Sequence, residues 1–232
     1  MTITLYGDSI LKFVLMEDGK YAANHSYERQ FAEQFQVEIR NLCYFGAAAD
    51  KGLSVIRRDL ERGPGPGDWA VVEFGGNDCT YLWEEVAQSP EAVHECKTPP
   101  ERFVARITEA VRLVRAAGAK PVLTSLPPID PQRYFNWFTR TGLNKENILR
   151  WLGDIQILYR WSELYSRLME QVARVEKTAL VDLRTPFLRA GRVEPLLCVD
   201  GIHPNREGQK LIYDAFCSYI RSVRGQQPEA AV

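Results

Sequence analysis

Short β-prone runs alternate along this chain with longer amphipathic stretches, and the alternation begins at the second residue. Thr2–Tyr6 (TITLY) mixes β-branched and apolar residues as a buried strand does. Tyr27, Phe31 and Phe35 then recur every four residues, one stripe of a helix ending near Gln36. Residues 37–42 read as a second strand, and Asp50 can cap a helix carrying Leu53, Ile56 and Leu60. A third strand, residues 68–74, is followed by a stripe at Phe103, Val104, Ile107, Ala110, Val111 and Val114 that stops at Gly118. Residues 121–126 give a fourth strand, stopped by Pro127-Pro128. Leu158, Trp161, Tyr165, Leu168, Val172 and Val175 predict a long packed helix, residues 178–183 a fifth strand, and Leu211 to Ile220 the inward face of a last helix.

Three stretches break the rhythm. Gly63-Pro64-Gly65-Pro66-Gly67 has a composition that neither helix nor sheet tolerates, and it is too short to link domains. Residues 129–153 are the least regular and are rich in aromatics: Tyr134, Phe135, Trp137, Phe138 and Trp151. The tail, residues 225–232, reads as disordered. Five strands separated by helices describe an α/β fold with a five-stranded parallel sheet covered on both faces, in one domain over residues 1–224 with an aromatic-rich insertion at 127–161. In such a sheet ligands bind beyond the carboxyl ends of the strands. Ser9, Gly46, Asn77 and residues 200–203 all fall on that edge.

Composition narrows the partners. With 29 basic and 30 acidic residues the net charge is -1, so no global field attracts nucleic acid or an acidic membrane. No apolar run is long enough to span a membrane, and the first strand begins too soon after Met1 to leave room for a signal peptide; a soluble, cytoplasmic protein is expected. Cys43, Cys79, Cys96, Cys198 and Cys217 are scattered without a CxxC pair and read as buried thiols. His94-Glu95-Cys96 is spaced too tightly for a metal, and Gly75-Gly76 lacks the G-x-G-x-x-G of a dinucleotide site, so neither metal nor cofactor is expected.

Acyl transfer needs a nucleophile, a base, a group that orients the base, and donors aimed at the developing oxyanion. Ser9 leaves a buried strand through Gly7-Asp8, residue types that turn the chain and start helices. His203, one of only three histidines, lies three residues after Asp200, close enough for the carboxylate to set its tautomer. Asp182, after the fifth strand, is the competing orienter. The Ser9 and Gly46 backbone N–H groups and the Asn77 side-chain amide are the candidate donors. Each residue also has a plainer reading: His203 as a cap before a helix, Asp200 as a turn former, Asp8 and Asp78 as supports of their turns.

Gly7-Asp8-Ser9, Gly46, Gly75-Gly76-Asn77-Asp78 and Asp200-Gly201-Ile202-His203, in that order over nearly the whole chain, resemble the four blocks of the SGNH hydrolases, also called GDSL lipases and esterases. The second block departs from the pattern: the usual Asn two or three residues before Gly46 is missing, with Asn41 nearby. The resemblance implies a flavodoxin-like three-layer α/β/α sandwich and hydrolysis of carboxylic esters through an acyl-Ser9 intermediate. It makes Ser9 the nucleophile, His203 the base and Asp200 its orienting acid, with Ser9, Gly46 and Asn77 forming the oxyanion hole. The expected substrates carry small acyl groups, O-acetyl or short-chain, with an acetylated carbohydrate among them. An acyltransferase using the same acyl-enzyme and a non-catalytic binding module on the same fold are the rivals. Chain proximity puts Asp8, Cys79, Tyr81 and Trp83 at the pocket. The aromatic cluster reads as packing under an insertion, a lid over an acyl or sugar pocket, or an interface in a homo-oligomer. Arg133 and Arg140 within it are candidates to meet an anionic substrate.

Overall fold

The computed structural model describes residues 1–17 and 19–225. Its main sheet has five parallel strands: β1 (Thr2–Tyr6), β4 (Glu38–Asn41), β5 (Trp69–Val72), β6 (Lys120–Thr124) and β7 (Ala179–Val181), in the spatial order β4-β1-β5-β6-β7. In chain order of these five strands the sequence across the sheet is 2-1-3-4-5, the flavodoxin-like doubly wound arrangement. Its switch point lies between β1 and β5, the strands that lead to Ser9 and Asn77. The register pairs Leu5 with Val71 and Val71 with Val122 on one face, and Tyr6 with Val72 and Val72 with Leu123 on the other, so inner strands are apolar on both faces.

Alternation along each strand divides the core in two. Ile3, Leu5, Val71 and Val122 face α1 (Ser26–Phe35) and α9 (Arg206–Gly225), where Phe31, Phe35, Ile212 and Ile220 meet them. Tyr6, Ala70, Val72 and Leu123 face α2 (Ala49–Arg62), α4 (Pro100–Ala116) and α7 (Gln156–Val175), packing on Leu53, Ile56, Phe103, Ile107 and Met169. Asp50 lies inside the first turn of α2 rather than capping it, and its carboxylate binds Arg102 and Arg106 of α4, each at 2.7 Å.

Two regions differ from the sequence reading. Residues 129–153 are largely helical, forming α5 (Pro131–Thr139) and α6 (Lys145–Leu152). Asp130 and Asn144 cap them by accepting from Arg133 N–H and Asn147 N–H, both at 3.0 Å, and Pro131 fits the first helical position. With α3 (Trp83–Gln88) they enclose a third apolar cluster around Trp83, Phe135, Ile148, Leu152 and Leu158. The second difference follows Ser9. No helix starts there; turns lead into an antiparallel hairpin, β2 (Val14–Glu17) and β3 (Lys20–Ala23), separate from the main sheet. The disorder expected of residues 225–232 falls, apart from Gly225 at the end of α9, outside the described residues.

Candidate active site

The site is assembled from loops that leave the carboxyl ends of the strands. After Tyr6 the chain turns at Gly7, and Asp8 Oδ1 accepts the Ile10 N–H at 2.8 Å, closing an Asx turn. Val14 N–H then bonds the Ser9 carbonyl at 3.0 Å and starts the hairpin. This holds Ser9, nearly buried, with its Oγ 2.9 Å from His203 Nε2. His203 Nδ1 lies 2.6 Å from Asp200 Oδ2. Because a carboxylate only accepts, Nδ1 carries the proton and Nε2 is left to accept from the Ser9 hydroxyl.

Asp200 is fully buried and richly supplied with donors. Its Oδ1 accepts from Ile202 N–H and His203 N–H, each at 3.1 Å, and its Oδ2 accepts from His203 and from the Tyr21 hydroxyl at 3.0 Å. Burial pushes this carboxyl up, but the His203 hydrogen bond and charge and the two backbone donors outweigh it and leave Asp200 below the usual carboxylate range. Gly201 makes the loop feasible: its φ is +74°, and an added Cβ would sit 2.7 Å from the Asp130 carbonyl and the Tyr134 nitrogen of α5. Asp182 is committed elsewhere. It accepts from the Ser125 hydroxyl and the Arg184 and Thr185 N–H groups, each at 3.0 Å, at the start of α8 (Arg184–Arg189).

On the other side of Ser9, the backbone N–H groups of Ser9 and Gly46 have no acceptor among the described residues. Gly46 reaches this position with φ +71°, open to glycine at no steric cost. Asn77 Nδ2 donates to Asp8 Oδ2 at 2.9 Å and to the Ala47 carbonyl at 3.1 Å, so both its protons are engaged in the resting site. Beneath it three carboxyls are buried together: Asp8, Glu73 and Asp78. Asp8 N–H donates to Glu73 Oε2 at 3.3 Å, whereas Glu73 Oε1 and Asp78 Oδ2 have no hydrogen-bond partner. Burial raises all three, Asp78 to about 6 and Glu73 well above the usual range, the Asp8 charge adding to Glu73.

These groups open into a cavity of about 230 Å³. Ser9, Gly46, Asn77 and His203 line it, and so do Asp8, Cys79, Tyr81 and Trp83. Tyr81 packs on Trp161 with ring centres 4.5 Å apart and Trp83 stacks on Phe138 at 4.3 Å, so packing and pocket wall are the same aromatic cluster. Cys79 is a buried thiol pushed upward by burial, unlike an activated nucleophile. Arg133 donates to the Glu194 carbonyl at 2.8 Å and Arg140 lies over the Trp137 ring at 3.5 Å; neither lines the cavity, whose basic residue is Lys97. Sequence reasoning missed Tyr21, Phe45 and Glu73. Phe45 stacks on the His203 ring at 5.8 Å and Tyr21 packs beside it at 5.1 Å. The Asp18-Gly19 dipeptide between two short β-prone runs was the available signal for the hairpin that carries Tyr21.

Among the described residues no three His, Cys, Asp or Glu side chains are grouped to hold a metal, and no helix is long and apolar enough to cross a membrane. The profile of the GDSL-like lipase/acylhydrolase family matches residues 5–211. Against the curated proteins the sequence finds no match. Among solved structures, a lipase/acylhydrolase from Enterococcus faecalis is 17% identical, covers 99% of each chain and superposes with a TM-score of 0.65. A GDSL-like lipase from Bacteroides thetaiotaomicron is 18% identical over 96% of this chain and 88% of its own, with a TM-score of 0.62. An acetyl xylan esterase from Geobacillus stearothermophilus is 17% identical over 94% of both chains, with a TM-score of 0.64. At these identities the structural likenesses establish a common fold.

Proposed function

Since the chain belongs to the GDSL-like lipase/acylhydrolase family and is a carboxylic ester hydrolase, we propose that it is a serine esterase of small acyl groups, O-acetyl or short-chain, working through an acyl-Ser9 intermediate. The observation that carries this reading is the unbroken relay from Ser9 Oγ through His203 to Asp200 at 2.9 and 2.6 Å. Ser9 Oγ attacks the ester carbonyl while His203 Nε2 takes its proton, and Asp200 stabilises the imidazolium that forms. The carbonyl oxygen becomes an oxyanion facing the Ser9 and Gly46 N–H groups, with Asn77 turning one amide proton from its present acceptors toward it. Collapse breaks the ester C–O bond, and His203 returns the proton to the leaving alcohol. Water then repeats the cycle on the acyl-enzyme and frees Ser9.

The cavity's modest volume favours a small acyl group. Its aromatic walls, with Tyr21, Tyr81 and Trp137, suit the flat apolar face of a sugar, which makes an acetylated carbohydrate the favoured alcohol partner. The Ser9→Ala variant tests the nucleophile: hydrolysis of p-nitrophenyl acetate should fall by at least about 10³-fold. Activity equal to wild type in the purified variant removes Ser9 from this role.

A further inference from the structure

The hairpin that the strand pattern does not announce brings one polar group to the buried end of the relay. Tyr21 of β3 extends its hydroxyl to Asp200 Oδ2 at 3.0 Å, the same oxygen that accepts from His203 Nδ1. Tyr21 is 37% exposed while Asp200 is 0% and His203 4% exposed, so a partly exposed residue contacts both members of a buried pair. We propose that Tyr21 is a positioning residue for catalysis: its hydroxyl fixes the Asp200 carboxylate and limits how strongly that carboxylate holds the imidazolium proton.

Three observations support a built contact rather than an incidental one. The hairpin is docked on the start of α9: Asn24 Nδ2 donates to Gln209 Oε1 at 2.8 Å, Gln209 Nε2 to the Val14 carbonyl at 3.3 Å, and Arg206 binds Glu17 at 2.7 Å. The tyrosine ring is wedged against Phe45 at 5.0 Å and Trp137 at 6.4 Å, which restricts the two torsions that aim the hydroxyl. Finally, Asp200 has four donors for two oxygens, and Tyr21 is the one that comes from outside its own loop.

A hydroxyl bonded to a carboxylate stabilises the charge and draws electron density from the oxygen that faces His203. Removing it leaves a more basic Asp200, which binds the proton on His203 more tightly. Other polar and ionisable groups around the pair are Asp8 and Ser9 from the turn after β1, Cys198 before Asp200, Tyr134 of α5 and Arg140 just after it. None of these replaces the Tyr21 hydroxyl on Asp200 Oδ2 in the resting site.

The test rests on the Ser9 relay and compares Tyr21→Phe, which keeps the ring, with Tyr21→Leu and with Ser9→Ala. Expected for Tyr21→Phe are a kcat for p-nitrophenyl acetate lower by about tenfold, the loss of one charge-assisted hydrogen bond, and an unchanged KM. The acid limb of kcat/KM should move to higher pH. The same displacement should appear in the imidazole C–H titration of His203 by NMR, a readout independent of turnover and simple to assign among three histidines. A Tyr21→Phe enzyme with the wild-type acid limb and NMR titration overturns the proposal, and if Tyr21→Leu alone is impaired the residue is only a wall. An inactive Ser9→Ala beside an unaltered Tyr21→Phe rejects the role of Tyr21 and keeps the relay; a fully active Ser9→Ala rejects the relay itself.

Discussion

Two sides of Ser9 bury carboxyl groups equally well and treat them in opposite ways. On the His203 side, Asp200 meets four donors and stays below the usual carboxylate range. On the Asn77 side, Asp8 receives the Ile10 and Asn77 protons and faces Glu73, Glu73 has an oxygen with no partner, and both are raised. Burial alone therefore does not decide charge; the number and kind of donors does. The difference matches what each side has to do. In the proposed mechanism an imidazolium forms beside Asp200 and needs a full negative charge. The proposed oxyanion forms above Asn77, where a second or third buried negative charge would oppose it.

The sharpest way to break this contrast is to remove the charge from the donor-rich side. Asp200→Asn should lower kcat by about 10³ to 10⁴, because an amide can donate to Nδ1 and reverse the tautomer that Ser9 requires. Its circular dichroism should match wild type, since Asn fits the same loop; a kcat within about tenfold of wild type would give the orienting role to another group. On the opposite side, Asn77→Ala removes the proposed donor to the oxyanion and the bond that ties Asp8 to the turn. A kcat loss of about 10² to 10³ with little change in KM is expected. A raised KM with intact kcat would make Asn77 a substrate-binding residue.

How much of this was legible in the chain varies with the range of the interactions. The five strands and the two-sided core were legible because a short β-prone run is a local pattern, with Ile3 and Leu5 turned to one face and Tyr6 to the other. Ser9, Asn77, Asp200 and His203 were legible as a group because a parallel sheet puts strand ends on one edge. Helices α5 and α6 were hidden by their aromatic density, although Asp130-Pro131 and Asn144 carried ordinary start signals. The helix expected after Ser9 gave way to turns: Lys12 N–H bonds the Asp8 carbonyl, but Phe13 then takes φ +51° and the chain leaves into the hairpin. Tyr21 on Asp200, 179 residues apart, and Glu73 on Asp8, 65 residues apart, follow no periodicity and become visible only in three dimensions.

The donor-poor side makes a smaller and more precise prediction. Burial, then the Asp8 charge, raises Glu73 well above the carboxylate range, so the folded protein holds a proton there that the unfolded chain releases. The stability associated with that proton is fully present below the unfolded value and is lost as pH rises through the higher folded value. Glu73→Gln keeps the shape and a donor for Asp8 but cannot ionise. As pH rises above the ordinary carboxylate range the urea midpoint of wild type should therefore fall more steeply than that of Glu73→Gln, and the two should converge in acid. Asp8 and Asp78 titrate in both proteins, so the difference between the curves reports Glu73 together with its coupling to Asp8. Parallel curves would mean that Glu73 is already ionised in the fold, and the contrast between the two sides of Ser9 would then rest on Asp8 and Asp78 alone.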